Sequence, residues 1–161
     1  MADHSVESGA GGRSSGVSVS TVGRAPTFSW ERARDGTWRV AVAEESMAPA
    51  LVAGDWLLLD PTSGRWPRRG SVVVFHEPET GLLAIKRVAA GPGDRVRISA
   101  GILRLGPDEA WLLGDNRAVS VDSRRYGPVP VDALVGRAWF RYAPMSRFGP
   151  IPGRGDLRSD R

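Results

Sequence analysis

Of the 22 basic residues in this 161-residue chain, 21 are arginine and one is lysine, Lys86. A guanidinium group stays protonated at neutral pH, whereas a lysine amine buried among apolar groups can lose its proton and act as a base. A lone lysine, taken by itself, is better explained as an ordinary surface cation, and its flanks are what change the reading. Lys86 lies in GLLAIKRVAA, where a period of two puts Leu82, Ala84, Lys86 and Val88 on one face of a strand and Leu83, Ile85 and Arg87 on the other. Its neighbours on that face are apolar. Moving a lysine pKa from about 10.4 to near 7 requires about 4 to 5 kcal/mol of differential solvation, which burial can supply.

A base needs a nucleophile to activate. Cysteine is absent, so there is no thiol nucleophile, disulfide framework or thiolate metal site, and the redox compartment is left open. The two histidines, His4 and His76, are far apart in sequence, which argues against a Ser-His-Asp triad and against a zinc site. Serine remains. Ser46 stands in AEESMAPALVAGDWLLLD, after a strand and before Pro49, where a hydroxyl can project from a strand end. Ser-Met-x-Pro alone reads as a turn, and a bare serine is a poor nucleophile without a base in hydrogen-bond reach. Ser46 as nucleophile and Lys86 as general base complement each other.

The elements that must position these two side chains are short and β-like. TWRVAVA (37–43) sets Trp38, Val40 and Val42 against Thr37, Arg39 and Ala41, the pattern of a half-buried strand. Further runs follow at 54–60, 70–76, 81–88, 94–99, 101–105, 109–115 and 133–142, punctuated by Pro and Gly at DPTSG, EPETG, GPGD and GPVP. An all-β fold of hairpins with at most a short helical turn is expected, in one domain spanning 27–150. Residues 1–26, mostly Ser, Gly and Ala, are expected to form a disordered arm, and 151–161 a flexible tail.

No run approaches the roughly 18 apolar residues that span a bilayer, and the N-terminus lacks the basic-then-apolar plan of a secretory signal. A soluble, cytoplasmic protein is the expectation. The net charge of +4 invites nucleic acid, but the arginines are scattered among 18 acidic residues with no basic helix or aromatic-basic motif, so no nucleic-acid partner is expected.

Three blocks in fixed order carry a resemblance: ESMAPAL…GDWLLLD, KRVAAGPGD and GDNRAVSVDSRRYGPV. Together they resemble the type I signal peptidase family, all-β proteases with a Ser-Lys dyad, over Val42 to Tyr142, without the transmembrane anchors and large insertions of the membrane enzymes. The resemblance implies a small, mainly antiparallel sheet or barrel domain of the signal peptidase catalytic type. It implies that Ser46 attacks the scissile carbonyl and that Lys86 takes its proton and passes it to the leaving amine. Ser120 would orient the lysine amine by accepting a hydrogen bond from it, Asp122 and Arg124 would support the loop behind the site, and Gly114, Asp115 and Asn116 would form the turn that presents this loop. No cofactor or metal is implied.

Some positions depart from the family pattern. Glu44 stands two before the nucleophile where relatives often have Ser or Gly, so the backbone N–H of Ser46 must carry more of the oxyanion stabilisation. Ala50 replaces the usual Thr, and Ala118-Val119 replace a polar pair. A short, Arg-rich version of this domain is similar to the nickel-type superoxide dismutase maturation proteases, which implies a precursor protein with an N-terminal leader as partner. The nickel would belong to that substrate. Alternatives are a signal peptidase acting on exported preproteins through peripheral membrane contact, self-cleavage at Ala10-Gly11, and a non-catalytic basic binding module.

Overall fold

The computed structural model describes residues 30–32, 38–61 and 64–153. The arm expected over 1–26 and the tail beyond 153 lie outside the described residues.

The described residues form eleven strands: β1 (Trp30–Arg32), β2 (Trp38–Ala41), β3 (Trp56–Asp60), β4 (Val72–His76), β5 (Leu83–Ala90), β6 (Arg95–Ile98), β7 (Gly101–Arg104), β8 (Glu109–Leu113), β9 (Val129–Pro130), β10 (Leu134–Ala143) and β11 (Gly149–Pro150). One four-residue helical turn, α1 (Ser123–Tyr126), interrupts them, along with two 3-10 turns. The fold is all-β, and every strand pairing is antiparallel. The main sheet runs β1-β2-β3-β10-β4-β5-β8-β9, with β11 on β10, and β6-β7 form a separate hairpin. Among the described residues no helix is long and apolar enough to cross a membrane.

The strand at the centre of the sheet, from the apolar run at 70–76, is buried on both faces. Val72 and Val74 of β4 join a cluster with Val40, Met47, Leu51, Leu57 and Ile85. Val73 and Phe75, pointing the other way, join Trp66, Val88, Leu112 and Val129. Both faces of β4 are therefore covered, and the strand reads as a continuous apolar run, as strands buried on both sides do. Each fully buried Leu, Phe or Val here contributes about 1.5 to 3 kcal/mol over an exposed one. A third cluster of Ala90, Leu105, Trp111 and Leu113 seats the β6-β7 hairpin on the end of the sheet.

β10 joins two halves that are far apart in sequence. It pairs with β3 from Arg137↔Asp60 to Ala143↔Trp56 and with β4 from Leu134↔Phe75 to Ala138↔Val72. Register shifts within both ladders let this long strand bend as it passes from one neighbour to the other. Gly136 is required where it crosses β3, because a Cβ there would lie 2.7 Å from the carbonyl oxygen of Asp60. Beyond β11, Ile151 packs on the first cluster and the Pro152 carbonyl accepts from Arg87.

Candidate active site

Ser46 sits in the turn that leaves β2, and the backbone on both sides of it is fixed by neighbours. Met47 and Leu51 are buried in the first cluster and anchor the turn from within. Asn116 reaches across, donating its N–H to the Ser46 carbonyl at 3.0 Å and its side-chain amide to the Glu45 carbonyl at 3.2 Å. The far end of the turn is held by Asp55, only 1 % exposed, which accepts from the Val52 N–H, Arg141 Nη1, Arg147 Nε and Arg147 Nη2. Those two arginines donate in turn to the Ala50 carbonyl, and Arg141 also donates to the Arg147 carbonyl. Four donors converging on one buried carboxylate satisfy its lone pairs, which is what makes a charge tolerable at that depth.

Lys86 comes from the middle of β5, where it pairs across the ladder with Val73. Alternation puts it on the face of Ala84 and Val88, as the sequence suggested. The residue is 3 % exposed, and its amine donates to Ser46 Oγ at 2.8 Å. Burial lowers its pKa below the ordinary lysine value, while the negative charges of Glu44, Asp122 and Glu77 pull in the opposite direction. Desolvation is the larger effect, so the balance favours the neutral amine relative to an exposed lysine.

The loop from Gly114 to Arg124 closes the site from behind. Asp122 is the hub: it accepts from the Gly114 N–H at 3.0 Å, from Ser120 Oγ at 2.8 Å, and from Arg124 Nε and Nη2 at 2.8 and 2.9 Å. It also caps α1 through the Arg124 N–H. Burial pushes the Asp122 carboxyl up, but the Arg124 guanidinium and these hydrogen bonds outweigh it and hold the group below the usual carboxylate range. The bidentate pair has one buried partner and so is not a plain surface ion pair. Ser123, next in sequence, accepts from the Leu112 N–H and ties the loop to β8.

Ser120 lies beside Ser46, since a Cβ on Gly114 would be 2.1 Å from Ser120 Oγ and 2.6 Å from the Ser46 carbonyl oxygen. Its hydrogen bond differs from expectation. The Ser120 hydroxyl donates to Asp122, and the Lys86 amine goes to Ser46; no bond from Lys86 to Ser120 is present among the described residues. The carboxylate of Asp122 is the stronger acceptor for the Ser120 proton, and the hydroxyl turns toward it.

Asp115 also departs from expectation. Beyond its place in the turn, it forms a buried bidentate pair with Arg87, Nε to Oδ1 at 2.9 Å and Nη2 to Oδ2 at 2.7 Å. Arg87 Nη1 donates to the Gly70 and Pro152 carbonyls. Adjacent residues of β5 thus carry opposite demands: Lys86 is desolvated on one face, and Arg87 is fully paired on the other. The only sequence signal for this pair was the adjacency of the two basic residues, and for Asp55, Arg141 and Arg147 there was none.

Ser46 and Lys86 open into a cleft of about 320 Å³ also lined by Glu44, Glu45, Glu77, Leu82 and Val119. A serine oxygen sharing a hydrogen bond with a buried amine, at the floor of an open cleft, has the geometry for acyl transfer to the serine.

Comparison with known proteins agrees with this chemistry. The family model described as "Signal peptidase, peptidase S26" matches residues 37–106 and 103–143. A probable signal peptidase I-1 of Synechocystis sp. is 31% identical over 143 residues, covering 68% of this chain and 73% of that protein. Signal peptidase I of Leptolyngbya laminosa is 32% identical, covering 68% of this chain and 70% of its own length. A mitochondrial inner membrane protease subunit 1 of Xenopus tropicalis is 36% identical over 115 residues, with 66% and 69% covered. Because the matched family model takes in the turn of Ser46, the strand of Lys86 and the loop behind them, the chain belongs to the signal peptidase family of peptidase S26 and is a serine-type endopeptidase.

Proposed function

We propose that Ser46 and Lys86 are the catalytic pair with which this enzyme removes the N-terminal leader of a precursor protein. The observation that carries the reading is the 2.8 Å hydrogen bond between Lys86 Nζ and Ser46 Oγ, made by a lysine that is buried as a residue. With the amine neutral, its lone pair takes the Ser46 proton as Oγ bonds to the scissile carbonyl carbon. The protonated amine then gives that proton to the departing nitrogen as the peptide C–N bond breaks. Water attacks the acyl-serine with Lys86 again accepting a proton, which returns to Ser46 Oγ as the acid product leaves.

The N–H of Ser46 donates to no acceptor among the described residues and is the donor we assign to the developing oxyanion. Glu44 offers no hydroxyl for this purpose. Asp122, held by Arg124, keeps the Ser120 hydroxyl in place beside Ser46, and in this reading the three are positioning residues.

For the substrate, the relatives' names favour a preprotein of the signal peptidase kind. The nickel-type superoxide dismutase precursor is the narrower reading, resting on overall sequence likeness. Both are put to the enzyme in one experiment: intact mass spectrometry of an exported preprotein and of a nickel superoxide dismutase precursor after incubation with wild type, Ser46→Ala and Lys86→Arg. Wild type alone is expected to shorten a precursor to a single new N-terminus. Trimming by either variant refutes the assignment of the pair, and the precursor that is cut decides between the substrates.

A further inference from the structure

The cleft over the dyad is chemically one-sided. Among the described residues no arginine lines it, whereas Glu44, Glu45 and Glu77 do, and Lys86 is buried and bonded to Ser46. The Glu45 carboxylate is exposed and makes no hydrogen bond or ion pair among the described residues. Glu77 receives one hydrogen bond, from the Thr80 hydroxyl, which leaves most of its acceptor capacity open. Between these acids the mouth of the cleft presents Leu82 and Val119, 56 % and 59 % exposed. An apolar lip ending in carboxylates matches an amphipathic side chain with an aliphatic stem and a cationic tip.

We propose that this cleft selects precursors carrying a lysine or arginine close to the scissile bond, its stem laid along Leu82 and Val119 and its charge held by Glu45 and Glu77. The inference rests on the dyad reading above. Proximity follows from covalent geometry, because Glu45 adjoins Ser46 and consecutive Cα atoms are about 3.8 Å apart. A carboxylate so placed can reach only substrate residues within a few positions of the bond attacked. The docked cation also offsets the attraction by which Glu44, Asp122 and Glu77 favour a protonated Lys86, so it assists the neutral base.

The test uses the full chain and a set of peptides with Ala at the first and third residues before the cut. Lys, Gln or Glu is placed in turn at each other position from six residues before the bond to three after it. Partly exposed ion pairs are each worth up to about fivefold, so the Lys peptide is expected to be cut roughly three- to tenfold faster in kcat/KM than the Gln peptide at one position, with the preference weakening at high salt. The preference should collapse in the Glu45→Gln/Glu77→Gln variant and pass to the Glu peptide in Glu45→Lys/Glu77→Lys. Binding of the same peptides to Ser46→Ala, by fluorescence anisotropy, gives the ranking independently of turnover. If Lys, Gln and Glu peptides are cut equally at every position, the selectivity is refuted while the dyad stands. If Ser46→Ala still cuts, the dyad reading fails instead, and equal binding of all peptides then removes the selectivity with it.

Discussion

Replacing Gly114 by Ala tests how tightly the nucleophile is located. An alanine Cβ at this site would lie 2.6 Å from the Ser46 carbonyl oxygen and 2.1 Å from Ser120 Oγ. Rotating the Ser120 hydroxyl does not relieve the contact, because Ser120 Cβ lies 2.4 Å away, and the Ser46 carbonyl is backbone, held by the Asn116 N–H. To reach an ordinary contact of 3.4 Å it must withdraw by about 0.8 Å, and it carries the Ser46 Cα and hydroxyl with it. Overpacking of this kind costs about 1 to 3 kcal/mol of stability. Displacing a reacting group by about 1 Å costs on the order of 100-fold in rate, so kcat/KM on a leader peptide should fall by roughly that factor. The assay pairs peptide cleavage with thermal unfolding in four proteins: wild type, Gly114→Ala, Ser120→Gly, and the double variant. Ser120→Gly removes the side-chain clash and should return part of the lost stability, but the backbone clash stays, so the double variant should remain roughly 100-fold below Ser120→Gly alone. Wild-type kcat/KM in Gly114→Ala would falsify the idea that this close approach locates Ser46.

Two further outcomes follow from buried charge. Lys86→Met removes an amine whose pKa is lowered by burial from its ordinary 10.5, so the unfolded chain binds more protons than the folded one between the two pKa values. Wild-type stability therefore rises with pH across that window; the inactive Met variant should be the more stable below it, with the gap closing as pH approaches 10.5, as thermal melts over a pH series will show. A gap that widens with pH contradicts the sign of the shift. Asp115→Asn breaks the buried pair with Arg87 and should cost about 3 to 5 kcal/mol by urea denaturation, whereas Glu79→Gln, which removes the exposed partner of Arg125, should cost under about 1 kcal/mol. Equal effects would mean that the depth of the Arg87 pair contributes nothing.

Much of the architecture could be read from alternation and punctuation. Eight runs delimited by Gly and Pro correspond to β2 through β8 and β10, because each strand is short and its ends coincide with turn residues. The short pieces β1, β9 and β11 carry too few residues to show a period. The place of β10 between β3 and β4 was also hidden, since strand order depends on which apolar faces meet and a local pattern does not encode it. In the site, Lys86 stood out because one lysine among arginines differs in chemistry, and Ser46 because no other nucleophile had a base. Asp55, Arg87, Arg141 and Arg147 did not stand out. Their importance comes from burial and from partners up to 98 residues away, and a chain with 21 arginines gives no local sign of which ones are interior. Ser120 was expected to accept from the lysine because the blocks identify neighbours; that the Lys86 proton goes to Ser46 and the Ser120 proton to Asp122 depends on distances that a local pattern does not encode.

The position of β10 has a consequence for biosynthesis. The hairpin that delivers the nucleophile, β2-β3, and the hairpin that delivers the base, β4-β5, share no backbone ladder with each other; β10 is laid between them. Both hairpins leave the ribosome well before residues 134–143 do. If Ser46 and Lys86 are the catalytic pair, a growing chain holds both without the strand that sets their hairpins in register, and activity is expected only once residues 134–143 have been made. The order of strands in space acts as a timer on the order of synthesis.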